Sequence, residues 1–157
     1  MNFTMKLMTE DEWAHSNNLD GAQKNKEQRL RSETVCFITH YGIFSQLPQI
    51  TIAQGIFIYH QVSQQLSSKN FDRLLYGAVS LFLSSKLDDH PRPLKEMSRA
   101  FDYIQNIHKN EMNKNISNPY FEPSYAEISE QGFKSHKLDY KKQKDLEEKF
   151  CDVEAEI

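Results

Sequence analysis

The chain has 157 residues, of which 38% are hydrophobic, enough to form the core of one domain. Lysine and arginine total 19 against 22 acidic residues, a formal net charge of −3 at pH 7. This balance argues against the nucleic-acid-binding class, whose members usually carry a basic surplus. The longest apolar run, residues 74–83, is too short to span a bilayer, so we expect no membrane partner.

Apolar residues recur at helical spacing along most of the chain, and no alternation typical of strands is found. Residues 1–25 form a polar arm, in which the single tryptophan, Trp13, is expected to dock the arm onto the body. The spacing then predicts five helices, over residues 26–44, 48–66, 72–87, 93–108 and 138–157. Pro48 and Pro93 mark the starts of the second and fourth helices, where proline is favoured.

The second and third predicted helices are apolar around most of their circumference, which is typical of helices buried on several sides. The sequence therefore predicts an all-α fold of five helices with a central, largely buried helix. Residues 109–137 are rich in Asn, Ser, Glu and Pro, and we expect a long, partly disordered surface loop there. Tyr125 and Phe133 are among the aromatic residues expected to hold parts of it.

The sequence contains no pattern that is typical of an enzyme. Its six histidines never fall at metal-ligand spacing, and no nucleotide-binding or hydrolase motif occurs. Cys36 and Cys151 are interpreted as reduced core thiols, without a basic neighbour that would activate them. The paired acids at 88–89 and 147–148 are adjacent in a helix, where neighbouring side chains point apart. We therefore expect no catalytic residue, no cofactor and no metal.

Three segments, in this order, resemble the cyclin box: LPQITIA at 47–53, SSKLDD at 84–89 and PRPLKEM at 91–97. They are similar to the start of the family's second helix, the end of its third and the opening of its fourth. SNNLDG at 16–21 is similar to the arm of the transcription-associated L, K and T cyclins, with the L type nearest. The resemblance implies that residues 26–157 form a first cyclin box.

Three features depart from the family pattern, and one is the loop at 109–137, which is longer than in most cyclins. Asp88 and Asp89 replace its usual pair of glutamates, which keeps the charge. Cyclins carry two five-helix repeats, whereas this chain contains only the first, and its last helical pattern runs to Ile157 without a stop signal. We therefore expect the chain to be a fragment of a longer protein.

The resemblance also implies a function without chemistry of its own. A cyclin binds and activates a cyclin-dependent serine/threonine kinase, and the transcription-associated types link that kinase to RNA polymerase II. The expected location is the nucleus, with the cytoplasm as a second possibility. No direct contact with nucleic acid is expected.

The family's kinase-binding pair corresponds to Lys86, at the end of the third helix, and Glu154, in the fifth. Leu83 and Leu87 flank Lys86 at helical spacing and are expected to provide the apolar part of the same site. A plainer interpretation is that Lys86 and Glu154 form only a surface ion pair within the chain.

Two other functions stay open at this point. The cyclin-like fold also serves as a nucleic-acid or transcription-factor module, which would need a stripe of basic residues on one face. Here the basic residues are interspersed with acids. The third alternative is an adaptor that binds another protein through the loop at 109–137 and the last helix, without activating a kinase.

Overall fold

The computed structural model describes residues 21–66, 71–118 and 121–157. Within these ranges the protein has six α-helices and no strand, which confirms the predicted all-α class. The helices, in chain order, are α1 (Gly21–Phe44), α2 (Gln49–Gln65), α3 (Arg73–Leu87), α4 (Leu94–Lys114), α5 (Glu130–Ser135) and α6 (Tyr140–Glu156). The predictions about Trp13 and about the arm motif at 16–20 lie outside the described residues.

The chain divides into two compact units, Met1–Ser32 and Glu33–Ile157. In the first unit the structure describes residues 21–32, where Arg31 Nη2 and Glu27 Oε1 lie 3.4 Å apart, one helical turn from each other. All contacts described from here on lie within the second unit.

Two predicted helix boundaries are wrong, and one helix was not predicted. Helix α1 begins at Gly21 rather than near residue 26, because Ala22, Gln23 and Lys24 are good helix formers although they form no apolar stripe. Helix α4 continues past residue 108 to Lys114. A sixth helix, α5, lies inside the predicted loop, and the Ser129 side chain caps it by accepting a hydrogen bond from Gly132 N at 3.0 Å.

Helix α3 is the central helix that the sequence predicted. Its residues from Leu75 to Phe82 are all buried, as are Ser84 and Ser85. The helix starts after Asp72, whose side chain accepts a hydrogen bond from Leu75 N at 3.1 Å. Because the core surrounds its middle, only the ends of α3 are available to solvent.

Glycines allow α1 and α2 to approach α3 closely. A Cβ atom added to Gly55 of α2 would lie 2.9 Å from Leu81 Cα, which is closer than normal van der Waals contact. A Cβ atom on Gly77 of α3 would lie 3.0 Å from Ile38 Cγ1 of α1. At Gly55 the backbones of α2 and α3 are therefore too close for a side chain, and at Gly77 a side chain would require Ile38 to shift.

Buried aromatic rings join α3 to α4 and α6. The Phe150 ring of α6 lies 6.1 Å from Phe82 of α3 and 5.6 Å from Phe101 of α4, both edge to face. Phe101 in turn lies 5.9 Å from Phe37 of α1. Such pairs contribute about 0.5–1.5 kcal/mol each beyond their buried area.

Cys151, next to Phe150, is exposed, so the prediction of a core thiol is wrong there.

Tyr125 anchors the segment between α4 and α5, although this segment has few apolar residues. The side chain is 3% exposed, its hydroxyl lies 2.9 Å from His108 Nδ1, and its ring stacks on His40 at 4.5 Å. Glu111 Oε2 accepts hydrogen bonds from Ser124 N at 2.7 Å and Tyr125 N at 3.3 Å. Burial raises the pKa of Tyr125, which keeps its hydroxyl protonated.

We expect Gly55→Ala to lower the free energy of unfolding by about 1–3 kcal/mol, because the new methyl group meets the α3 backbone. The loss should occur even though alanine is the better helix former by about 1 kcal/mol. Urea denaturation followed by circular dichroism measures it. Gln61→Ala, an exposed change in the same helix, is the control, and equal stability of the two variants would contradict the close approach.

Candidate functional site

The last turn of α3 lies beside the last turns of α6. Lys86 Nζ donates a hydrogen bond to Glu154 Oε1 at 2.6 Å, across 68 residues of sequence. The Lys86 side chain is 42% exposed and that of Glu154 is 24% exposed. The structure therefore brings together the two charged residues that the sequence placed in one site.

A second contact fixes the Lys86 ammonium group. Lys86 Nζ lies 4.3 Å from the centroid of the Phe82 ring, one turn earlier in α3. This cation–π contact is worth about 0.5–1 kcal/mol at an exposed position. Since Phe82 is 3% exposed and packs against Phe150, the ring is itself held in place. The ammonium group is thus positioned between a carboxylate and a rigid aromatic face.

The two predicted leucines differ in exposure. Leu83 is half-buried and does not belong to the central hydrophobic cluster, whereas Leu87 is 63% exposed. Both lie on α3 one turn apart and flank Lys86. Both leucines therefore lie at the end of α3 that carries Lys86; that they form the apolar part of a binding site stays a prediction.

Polar contacts with α2 hold the end of α3. Ser84 Oγ donates to the Thr51 carbonyl oxygen at 2.7 Å, and Thr51 Oγ1 donates to Asp88 Oδ2 at 2.5 Å. Asp88 follows the last helical residue, and its backbone N–H bonds the Ser84 carbonyl oxygen. Asp89 then adopts a left-handed conformation with φ 55°, which turns the chain away from the helix. Asp88 is therefore part of the helix terminus rather than a free carboxylate.

A second polar contact between α3 and α6 lies further from the end of α3. The Tyr76 hydroxyl donates a hydrogen bond to Glu156 Oε2. This hydrogen bond to the carboxylate, with smaller contributions from burial and the negative charge, raises the pKa of Tyr76 to about 12. Tyr76 and Lys86 together set the position of the last turn of α6 along α3.

The arrangement offers both hydrogen-bond donors and acceptors to a partner. An ammonium group has three N–H donors, and Lys86 uses one of them to donate to Glu154 Oε1. Among the residues that the structure describes, no three His, Cys, Asp or Glu side chains are grouped to hold a metal ion. In the same part of the chain, no helix is both long and apolar enough to cross a membrane.

Sequence reasoning missed three residues of this region, namely Thr51, Tyr76 and Phe82. The position of Phe82 four residues before Lys86 is a usable signal, since such pairs share a helix face. The contacts of Thr51 and Tyr76 join residues 37 and 80 positions apart, and no local pattern indicates them.

With this geometry in place, similarity to curated proteins points to one family. The chain is 35% identical over 79 residues to Cyclin-T1-5 of Arabidopsis thaliana, covering 50% of this chain and 14% of that protein. It is 34% identical over 82 residues to human Cyclin-K, covering 52% and 14%, respectively. It is 30% identical over 79 residues to Cyclin pch1 of Schizosaccharomyces pombe, covering 50% and 23%.

No family model matches the chain, and no solved structure matches it either. The chain spans only 14% to 23% of the length of the three relatives named above. Together with the all-helical fold, these relatives support assignment of the chain to the cyclin family. These relatives are a T-type cyclin, a K-type cyclin and Cyclin pch1. The greater similarity to the L type that the sequence suggested stays a prediction.

The raised pKa of Tyr76 predicts how stability depends on pH. A group whose pKa is raised by folding contributes stability below its unfolded pKa, here 10.0, and loses that contribution as the pH rises through about 12. The unfolding free energy of the parent should therefore fall more steeply above pH 10 than that of Tyr76→Phe. Urea denaturation at several pH values measures both slopes.

Glu156→Gln provides the matched control for this prediction. The Gln amide can accept from the neutral Tyr76 hydroxyl but can also donate to the phenolate, and it carries no charge, so it no longer favours the protonated form as the carboxylate does. This variant should therefore behave more like Tyr76→Phe than like the parent. Equal slopes for all three proteins would show that the Tyr76–Glu156 contact does not persist in solution.

Proposed function

We propose that this protein is the regulatory subunit of a cyclin-dependent serine/threonine kinase, which it binds and activates, and that the kinase acts in transcription by RNA polymerase II. Such a subunit would act in the nucleus. The observation that carries the proposal is the Lys86–Glu154 ion pair beside Leu83 and Leu87, at positions that match the family motif. Similarity to cyclins of the T and K types supports the transcription link.

The ion pair suits a binding site because both partners keep unused hydrogen-bonding capacity. Lys86 uses one N–H on Glu154, and the other two are available to carbonyl oxygens of a kinase. Glu154 uses Oε1, so Oε2 is available to backbone N–H groups of the same partner. Because Glu154 and Phe82 already orient Lys86, little side-chain freedom is lost on binding.

Leu87 supplies the apolar part of the proposed interface. A large side chain that is 63% exposed at a helix end gains about 1.5–3 kcal/mol if a partner buries it. Leu83, one turn earlier and half-buried, would form the floor of the same contact. The combination of an apolar centre with a charged rim is typical of protein interfaces.

Activation would follow from preferential binding to one kinase conformation. The family resemblance implies that the α3 and α6 ends face the kinase's mobile helix. That helix carries a glutamate which must pair with a lysine of the kinase for phosphoryl transfer. Contacts made only with the inward position of the helix would stabilise the active conformation. This protein would contribute no catalytic atom.

A charge-swap experiment separates partner binding from the intrachain pair. Lys86→Glu should reduce the kinase activity that co-purifies with the tagged chain from source-cell lysate by roughly 30-fold or more, because a buried interface charge is worth about 2–5 kcal/mol. Adding Glu154→Lys restores an ion pair of opposite polarity but should not restore the kinase. Lys149→Glu, an exposed lysine of α6 paired with Asp145, is the control.

The same variants test the plainer interpretation. If Lys86 and Glu154 form only a surface pair, the double variant should recover all binding lost by Lys86→Glu. Thermal denaturation should show that each single change costs only about 0–1 kcal/mol, so lost binding cannot be attributed to unfolding. Full recovery in the double variant, or no kinase bound by the parent, would reject the proposed site.

Leu87→Ser should weaken kinase binding about tenfold or more while leaving the unfolding free energy within about 0.5 kcal/mol of the parent. The reason is that Leu87 has little burial to lose in the free protein. Leu81→Ser, a fully buried change in the same helix, should instead unfold the chain. Parent-like kinase binding by Leu87→Ser would remove this residue from the interface.

A further inference from the structure

Residues 134–144 have a charge unlike that of the rest of the chain. This segment contains five lysines and one aspartate, a net charge of +4. Since the whole chain carries −3, the remaining residues carry −7. Basic residues therefore predominate in this segment, and the prediction that they are interspersed with acids is wrong here.

Contacts with α4 hold this segment on one surface. The carboxylate of Asp102, which is 3% exposed, binds His136 Nε2 at 2.8 Å through Oδ2 and Lys142 Nζ at 2.8 Å through Oδ1. Arg99 Nη2 donates to the carbonyl oxygens of Phe133 at 2.9 Å and His136 at 3.1 Å. A shared buried anion thus brings the end of α5 next to the beginning of α6.

The anchored residues leave their lysine neighbours facing solvent. Lys137 follows His136, and Lys141 precedes Lys142; both are exposed. In the part of the chain that the structure describes, neither has an ion-pair partner. Lys144 lies one turn beyond Lys141, and its Nζ is 5.7 Å from the ring centroid of Tyr140. Tyr140 is 74% exposed.

We propose that Lys137, Tyr140, Lys141 and Lys144, here called the basic stripe, dock a short anionic segment of a partner protein. Its anionic groups would be carboxylates of Asp and Glu or phosphates of modified side chains. The lysines would pair with these groups, while the Tyr140 ring would pack against the peptide and its hydroxyl would donate to one of them.

The size of the basic stripe favours a short peptide over nucleic acid. Lys141 and Lys144 are separated by about 4.5 Å along the helix axis, and four residues of extended peptide cover about 13 Å. Beyond Lys144 the outward residues of α6 become acidic, beginning with Asp145 and Glu148. A long polyanion would run into this acidic surface and be repelled, whereas a short segment would not.

This proposal is independent of the kinase proposal, because the basic stripe and Glu154 occupy opposite ends of α6. The swapped variant Lys86→Glu with Glu154→Lys should therefore bind an anionic peptide as the parent does. If that variant loses kinase but keeps peptide, the two surfaces act separately.

The test uses the full chain and a short fluorescein-labelled peptide of alternating Glu and Ser, with binding measured by fluorescence anisotropy at low salt. Lys141→Glu with Lys144→Glu should weaken binding about tenfold or more. Lys109→Glu with Lys149→Glu changes the net charge equally and should weaken binding less than about threefold. Lys137→Glu, which lies outside α6, should weaken binding even if changes within α6 affect folding.

A comparison of peptides tests which chemical group the basic stripe recognises. Phosphoserine in place of Glu should bind more tightly if phosphate is preferred, and equally if any anion suffices; either outcome supports the docking site. A peptide with Gln in place of Glu should not bind. Equal losses in the two double variants, or a single-stranded oligonucleotide that binds more tightly than either anionic peptide, would overturn the proposal.

Discussion

The close approach of α2 to α3 at Gly55 is the constraint on which the rest of the structure depends. No side chain separates the two backbones there, so α3 cannot slide or rotate against α2 without a steric clash. On the other side of α3, the Ile38 side chain of α1 packs against Gly77. Because α3 is held on two sides, its position along α1 and α2 is fixed. Its residues therefore have fixed positions relative to every helix that packs on it.

The proposed kinase site follows from this fixed position of α3. The core surrounds the middle of α3, so its accessible residues are at the two ends, and the most exposed ones lie in its last turn. Lys86 and Leu87 emerge together because they are adjacent there, and the Ser84–Thr51–Asp88 contacts stop the turn from fraying. Phe150 of α6 packs in the core against Phe82, which aligns α6 with α3. The site is thus a rigid surface at the end of a buried helix.

Local sequence patterns could predict the helices and the residues at their ends. They could not predict contacts between residues that are far apart in the sequence. The cyclin-like motif at 84–89 placed Lys86 in the last turn of α3, and the family match paired it with Glu154. Helix α5 was missed because its six residues are too few to show an apolar period. The role of Tyr125 was only partly foreseen, since a polar segment becomes ordered through Glu111 and His108 rather than through apolar burial.

The distance of 68 residues between Lys86 and Glu154 has a consequence for how the protein is made. A ribosome adds about 5–20 residues per second, so Lys86 leaves the catalytic centre of the ribosome roughly 3–14 s before Glu154 is added. Helices α2 and α3 can pair during this interval, because their contacts are close in sequence. The ammonium group acquires its carboxylate only after α6 is complete. Until then, newly made chains carry Leu83 and Leu87 beside a lysine that has not yet met its carboxylate partner.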